Sequence, residues 1–180
     1  MKQFIQTLLF IIIVSVAFGQ AQRKVNVYLS TQYNNTIYDN TTGNNPWSVG
    51  LGAQIYFNNN SKFKPTIELT GDIYLVDDKV YRFKPDSVAP PVPYKDVRGM
   101  INLFAGSIFT LTQTAYLSFL AGPSFIGNEI LVGIKPSLGF YFSKTKKWTG
   151  KISYINIFNR DKKMPGDFGS ISLAVGFKLY

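Results

Sequence analysis

Residues Trp47–Phe57 read WSVGLGAQIYF. Every second residue (Trp47, Val49, Leu51, Ala53, Ile55, Phe57) is apolar, and those between (Ser48, Gly50, Gly52, Gln54, Tyr56) are small or polar without carrying a charge. Period-two alternation is a strand with two different faces. A soluble sheet solvates its second face with Lys and Glu, so the missing charge asks which environment wants an apolar face backed by a polar, chargeless one.

The same pattern recurs along the chain. Ile67, Leu69, Ile73 and Leu75 stand against Thr66, Glu68, Thr70, Asp72 and Tyr74. Ile130, Val132, Ile134, Leu138 and Phe140 stand against Gly133, Lys135, Ser137, Gly139 and Tyr141. Ile171, Leu173, Val175 and Phe177 stand against Ser170, Ser172, Ala174 and Gly176. Helical periodicity is absent from Val25 onward, and eight strands are predicted at about 25–34, 47–57, 65–76, 99–111, 115–125, 130–142, 148–158 and 168–179.

The connections alternate in length. Long ones follow the first, third and seventh runs (NTIYDNTTGNNP, DDKVYRFKPDSVAPPVPYKDVR, NRDKKMPGD), and short ones follow the second, fourth and sixth (NNNSKFK, TQT, SKTK). The connection around SFIGNE falls on the long side by position. A meander with tight turns at one end and longer loops at the other is the habit of outer-membrane barrels. A narrow lumen needs small residues for curvature and a few long polar ones to fill it, so the apolar face is expected to point into lipid. The fold expected is all-β: an eight-stranded antiparallel up-and-down transmembrane β-barrel. Val49, Leu51, Ile55, Ile67, Leu69, Ile73, Ile134, Leu138, Leu173 and Val175 are its expected lipid-facing residues. Aromatics near the strand ends, Trp47, Phe57, Phe142 and Trp148 foremost, with Tyr33, Phe109, Tyr116, Phe125 and Phe158, are the expected interfacial girdles.

Composition bounds the chemistry. The chain has 180 residues, no cysteine, no histidine and a formal charge of +9. Disulfides are excluded, and the commonest general base and metal ligand are missing. The positive charge fits an anionic partner such as phospholipid or lipopolysaccharide. The N-terminus MKQFIQTLLFIIIVSVAFGQAQ has one cation, a short apolar run and small residues at Gly19 and Ala21, the pattern of a secretory signal peptide. Residues 1–21 are read as that leader, with a cut after Gly19 as the alternative, and 22–180 as one barrel domain. Export removes nucleic acid from the partners.

The leader ending in VAFGQAQ, the eight alternating runs and the closing ISLAVGFKLY resemble the small outer-membrane β-barrels of the OmpA/OmpX superfamily, in the style of the Bacteroidetes outer membrane protein β-barrel domain. The resemblance covers the mature chain. It implies a Gram-negative outer membrane, with outer-membrane lipids and lipopolysaccharide as surroundings and insertion by the barrel-assembly machinery, which reads an aromatic terminal residue. Tyr180 is aromatic, but its parity matches Lys178 instead of Phe177 and Leu179.

Enzymes among small barrels use a histidine near the outer rim, which this chain lacks, and its adjacent acids, Asp77–Asp78, and Asp86 with Asp96, fall in a polar loop; no enzyme, cofactor or metal is expected. The proline-rich KPDSVAPPVPYKD is a stiff external segment suited to an envelope protein partner. The rival reading is a soluble secreted barrel, lipocalin-like, carrying a small apolar ligand with its apolar face inward. Counting inward from the turns sets Glu68 opposite Lys151 and Asp72 opposite Lys135, and these two ion pairs are expected to plug the lumen. Pro123 and Pro136 inside strands call for a bulge or an edge, and the parity change at Ile155 and Ile157 suggests a bulge near Asn156.

Overall fold

The computed structural model describes residues 25–38, 47–58, 61–74, 80–82, 92–94, 99–127, 129–159 and 167–179. Eight long strands form a closed antiparallel barrel: β1 (Val25–Tyr38), β2 (Trp47–Phe57), β3 (Phe63–Tyr74), β6 (Gly99–Thr110), β7 (Ala115–Ile126), β8 (Glu129–Tyr141), β9 (Trp148–Ile157) and β10 (Phe168–Lys178). Each pairs with its neighbour in sequence, and β10 returns to β1. Two short strands, β4 (Val80–Arg82) and β5 (Val92–Tyr94), pair with each other within the longest connection, where the sequence reading had only a loop.

Register fixes the size of the barrel. From Phe109 the cross-strand partners run through Leu117, Leu138, Ile152, Leu173, Tyr33, Val49 and Ile73 and arrive back on β6 at Gly99. One circuit therefore climbs ten residues. With a rise of ~3.3 Å per residue and strands ~4.7 Å apart, that stagger tilts the strands by about 40° and gives a wall radius of about 8 Å. Such an interior holds side chains and little else.

The alternation sorts residues as the opening stretch suggests. Along β2, Leu51 is 73% exposed while Gln54 is 6% exposed. Thr66, Glu68, Thr70 and Asp72 of β3 are buried between exposed Ile67, Leu69 and Ile73. The interior is polar and the exterior apolar, the reverse of a carrier with an inward apolar face.

Two sequence expectations are corrected. No bulge occurs near Asn156: β9 stays in register with β10 from Ile157↔Phe168 to Trp148↔Phe177, so Ile155 and Ile157 keep the inward parity of Lys151 and Ser153. The irregularity lies in β1, between Thr36 and Tyr38 against β10. The prolines need neither bulge nor edge. Pro123 pairs with Val132 while the ladder to β6 skips it, and Pro136 pairs with Phe119 while the ladder to β9 skips it, with register unchanged across both gaps.

Candidate functional site: the filled lumen

The inward side chains form four layers along the axis. At the short-turn end lies a tyrosine cluster of Tyr28, Tyr56, Tyr116 and Tyr141 around Ile108. Tyr28 and Tyr56 stack with ring centroids 5.5 Å apart, and Tyr116 and Tyr141 lie at 5.0 Å. The Tyr56 hydroxyl donates to that of Tyr28 at 3.0 Å and lies 3.2 Å from that of Tyr141. Tyr28 in turn donates to the Lys146 carbonyl in the β8–β9 turn at 2.7 Å. Gly139 faces this layer because a Cβ there would overlap the Tyr116 ring.

The middle layer is ionic. Lys135 of β8 reaches Glu68 Oε1 of β3 at 2.5 Å, and Lys151 of β9 bonds Glu68 Oε2. Glu68 and Lys135 are 2% and 0% exposed. An isolated buried charge is very costly, so the three side chains hold one another in place.

Asp72, two repeats of the pleat further along β3, occupies a separate amide cage. Gln32 Nε2 donates to Asp72 Oδ1 at 2.6 Å and Asn34 Nδ2 at 2.7 Å, while Asn102 Nδ2 reaches Oδ2 at 3.4 Å and Thr70 Oγ1 at 3.1 Å. The chargeless face of WSVGLGAQIYF now has its reason: a Cβ on Gly50 would collide with Asp72 Oδ1, and Ser48 Oγ accepts from Asn34 Nδ2 at 2.7 Å. The long-loop end holds an apolar layer of Tyr74, Met100, Ile155, Ile157 and Phe168, with Ile126 and Leu131 against it. Tyr74 and Phe168 meet edge to face at 5.6 Å.

The structure thus brings Glu68 and Lys151 together. It corrects the second pairing: Lys135 shares Glu68, and Asp72 is satisfied by amides. Tyr116, expected in the girdle, points inward and is 2% exposed. Of the residues expected on the outer face, Val49, Leu51, Ile67, Leu69, Ile73, Leu138, Leu173 and Val175 are exposed, and Ile55 and Ile134 are half-buried. Trp47, Phe57, Phe142 and Trp148 are exposed near the strand ends. Asp77, Asp78, Asp86, Asp96 and most of the proline-rich stretch lie outside the described residues. Among the described residues no group of three or more acids could hold a metal ion.

Sequence reading missed the tyrosine layer, the amide cage and the apolar layer. Their signal was parity: Tyr28, Tyr56, Tyr116, Tyr141, Gln32, Asn34 and Asn102 all occupy the polar phase of their strands.

No protein-family model matches the chain, and no curated protein does. Solved structures do. The attachment invasion locus protein Ail of Yersinia pestis superposes with a TM-score of 0.53 at 13% identity, covering 87% of this chain and 98% of Ail. Neisserial surface protein A gives 0.54 at 13% identity, covering 86% and 95%. A de novo designed transmembrane β-barrel gives 0.50 at 11% identity, covering 89% and 98%. The fold is that of the small eight-stranded transmembrane barrels.

Proposed function

With that fold as premise, we propose that the chain is a non-enzymatic integral barrel of a Gram-negative outer membrane, exported by the leader at 1–21 and closed to solute flow by its own side chains. One observation carries the reading: polarity is inverted, with an apolar band outside and a filled, ion-paired interior. Strands of 10–14 residues tilted by about 40° span roughly 25 Å or more, the height of an outer-membrane apolar band. The exposed aromatics then lie at the two interfaces. Glu68 and Asp72, the buried acids of the described residues, are engaged by lysines and amides and hold no reactive geometry. The protein serves the envelope as a structural or interaction barrel, inserted by the barrel-assembly machinery among outer-membrane lipids and lipopolysaccharide, with its long connections offered to an envelope partner.

Fractionation and electrophoresis test the location. The mature protein should be recovered with the outer membrane and run as a heat-modifiable band in SDS; recovery as a folded monomer in plain buffer would refute the reading. Planar-bilayer recording tests the plug. The native barrel should show no large, stable conductance, and Glu68→Ala should raise whatever small conductance exists.

A further inference from the structure

The net charge of this protein is gathered at one pole. Of 19 cations and 10 acids, eight of each belong to the connections and strand tips at the long-loop end. Two of each (Lys135 and Lys151, Glu68 and Asp72) lie in the lumen, and Lys2 is in the leader segment. What remains is eight cations and no acid, and the six of them among the described residues lie at the short-turn end. Lys62 lies in the β2–β3 turn with Lys64 just inside β3; Lys144, Lys146 and Lys147 form the β8–β9 turn; Lys178 ends β10. Arg23 and Lys24, outside the described residues, immediately precede β1 in sequence. In the order β1-β10-β9-β8-β7-β6-β3-β2 the described positions border five of the eight strands, β10, β9, β8, β3 and β2, and the β6–β7 turn, Leu111–Thr114, is neutral.

We infer that this short-turn rim seats anionic phospholipid head groups of the adjoining leaflet; the inference rests on the membrane reading above. The rim stands immediately beyond the aromatic belt. Phe63 lies between Lys62 and Lys64, Trp148 follows Lys147, and Phe177 precedes Lys178, with Trp148 and Phe177 ring centroids 5.0 Å apart and Phe63 and Phe109 4.8 Å apart. Aromatic belts mark the head-group level, and lysine stems reach from there to the phosphates. Lys62, Lys144 and Lys147 are exposed. Lys64 and Lys146 instead lean over the Tyr56 and Tyr141 rings, at 6.0 and 5.0 Å, and cap the tyrosine layer. Cations spread round a circumference match an annulus of lipid better than a protein docked from one side. Lysine, a flexible point charge, suits head groups that exchange.

The test uses the mature chain refolded into phosphatidylcholine vesicles with and without phosphatidylglycerol. Spin-labelled phosphatidylglycerol and phosphatidylcholine report which lipid is immobilised at the barrel. The native protein should favour phosphatidylglycerol by about fivefold for a head group seated at one lysine, and the preference should shrink in high salt. Replacing Lys62, Lys144 and Lys147 by Gln should remove most of it, whereas Lys79, Lys162 and Lys163→Gln at the long connections should leave it intact. Equal immobilisation of the two lipids by the native, heat-modifiable barrel would overturn the inference and leave the membrane reading standing. So would equal losses in the two triple variants, or a rim that ignores lipid charge yet retains an added acidic polypeptide. Failure to insert at all would instead remove the membrane reading itself.

Discussion

Replacing Glu68 by Gln tests the ionic layer directly. Glu68 accepts from two ammonium groups, of Lys135 at 0% and Lys151 at 6% exposure. The amide keeps the shape and one acceptor but removes the carboxylate that both lysines contact, leaving two buried cations facing each other. Breaking a buried pair by removing one partner costs about 3–5 kcal/mol. With a urea slope of roughly 2 kcal/mol per molar, a loss of about 4 kcal/mol moves the unfolding midpoint down by about 2 M. The assay is a reversible urea titration in lipid vesicles followed by the fluorescence of Trp47 and Trp148. Their ends of the barrel differ, so coincident transitions also check two-state behaviour. The companion variant, Glu68→Gln with Lys135→Met and Lys151→Met, removes the stranded charges and should recover most of the loss, because apolar replacement of a whole buried ion cluster is often neutral or stabilising. A Glu68→Gln midpoint equal to the native one, or a triple variant as unstable as the single one, would refute the account of the layer.

Three further outcomes are expected in the same titration. Leu51→Arg, on the outer wall, should cost about 2–4 kcal/mol, and Gln54→Arg, beside Glu68 in register, should cost less; equal costs would mean that the faces are inverted. Gly139→Ala should cost about 1–3 kcal/mol by driving a methyl into the Tyr116 ring, whereas Gly71→Ala, whose added Cβ meets nothing within 4 Å, should stay within about 0.5 kcal/mol of native. Tyr56→Phe removes a hydroxyl that touches those of Tyr28 and Tyr141 and should lower stability by about 1 kcal/mol; no change would show that the tyrosine layer holds by ring packing alone.

Strand positions and facing were legible because both depend on a local period. The expected starts at Trp47, Gly99, Ala115, Trp148 and Phe168 coincide with those of β2, β6, β7, β9 and β10. β1 ran past its expected end because its inward residues beyond Leu29 are Gln32, Asn34 and Thr36, and the outward ones include Thr31 and Asn35, so polarity no longer separates the faces. The lumen pairing is less legible because position along a strand gives depth only if the cross-strand rows are level. The ten-residue stagger tilts the rows, and this brings Lys135 onto Glu68 while leaving Asp72 to the amides of Gln32 and Asn34. Ile155 and Ile157 mislead for another reason: inward apolar residues are out of place in a polar lumen except near a mouth, where they pack with Phe168.

The irregularity between Thr36 and Tyr38 lies on the β1–β10 seam, and that position bears on how the wall comes together. Every other pairing joins strands adjacent along the barrel chain, so most of the sheet can grow as successive hairpins. The seam instead unites Tyr28 with Lys178, 150 positions apart in sequence, and its loop-closure entropy falls due only when the sheet is already curled. Its register is unbroken from Tyr28↔Lys178 to Thr36↔Ser170, and Leu179 N–H donates to the Val27 carbonyl at 2.8 Å at the short-turn end. The seam is therefore held most continuously at the short-turn end, and its fraying should start from the opposite mouth, where the ladder is already broken.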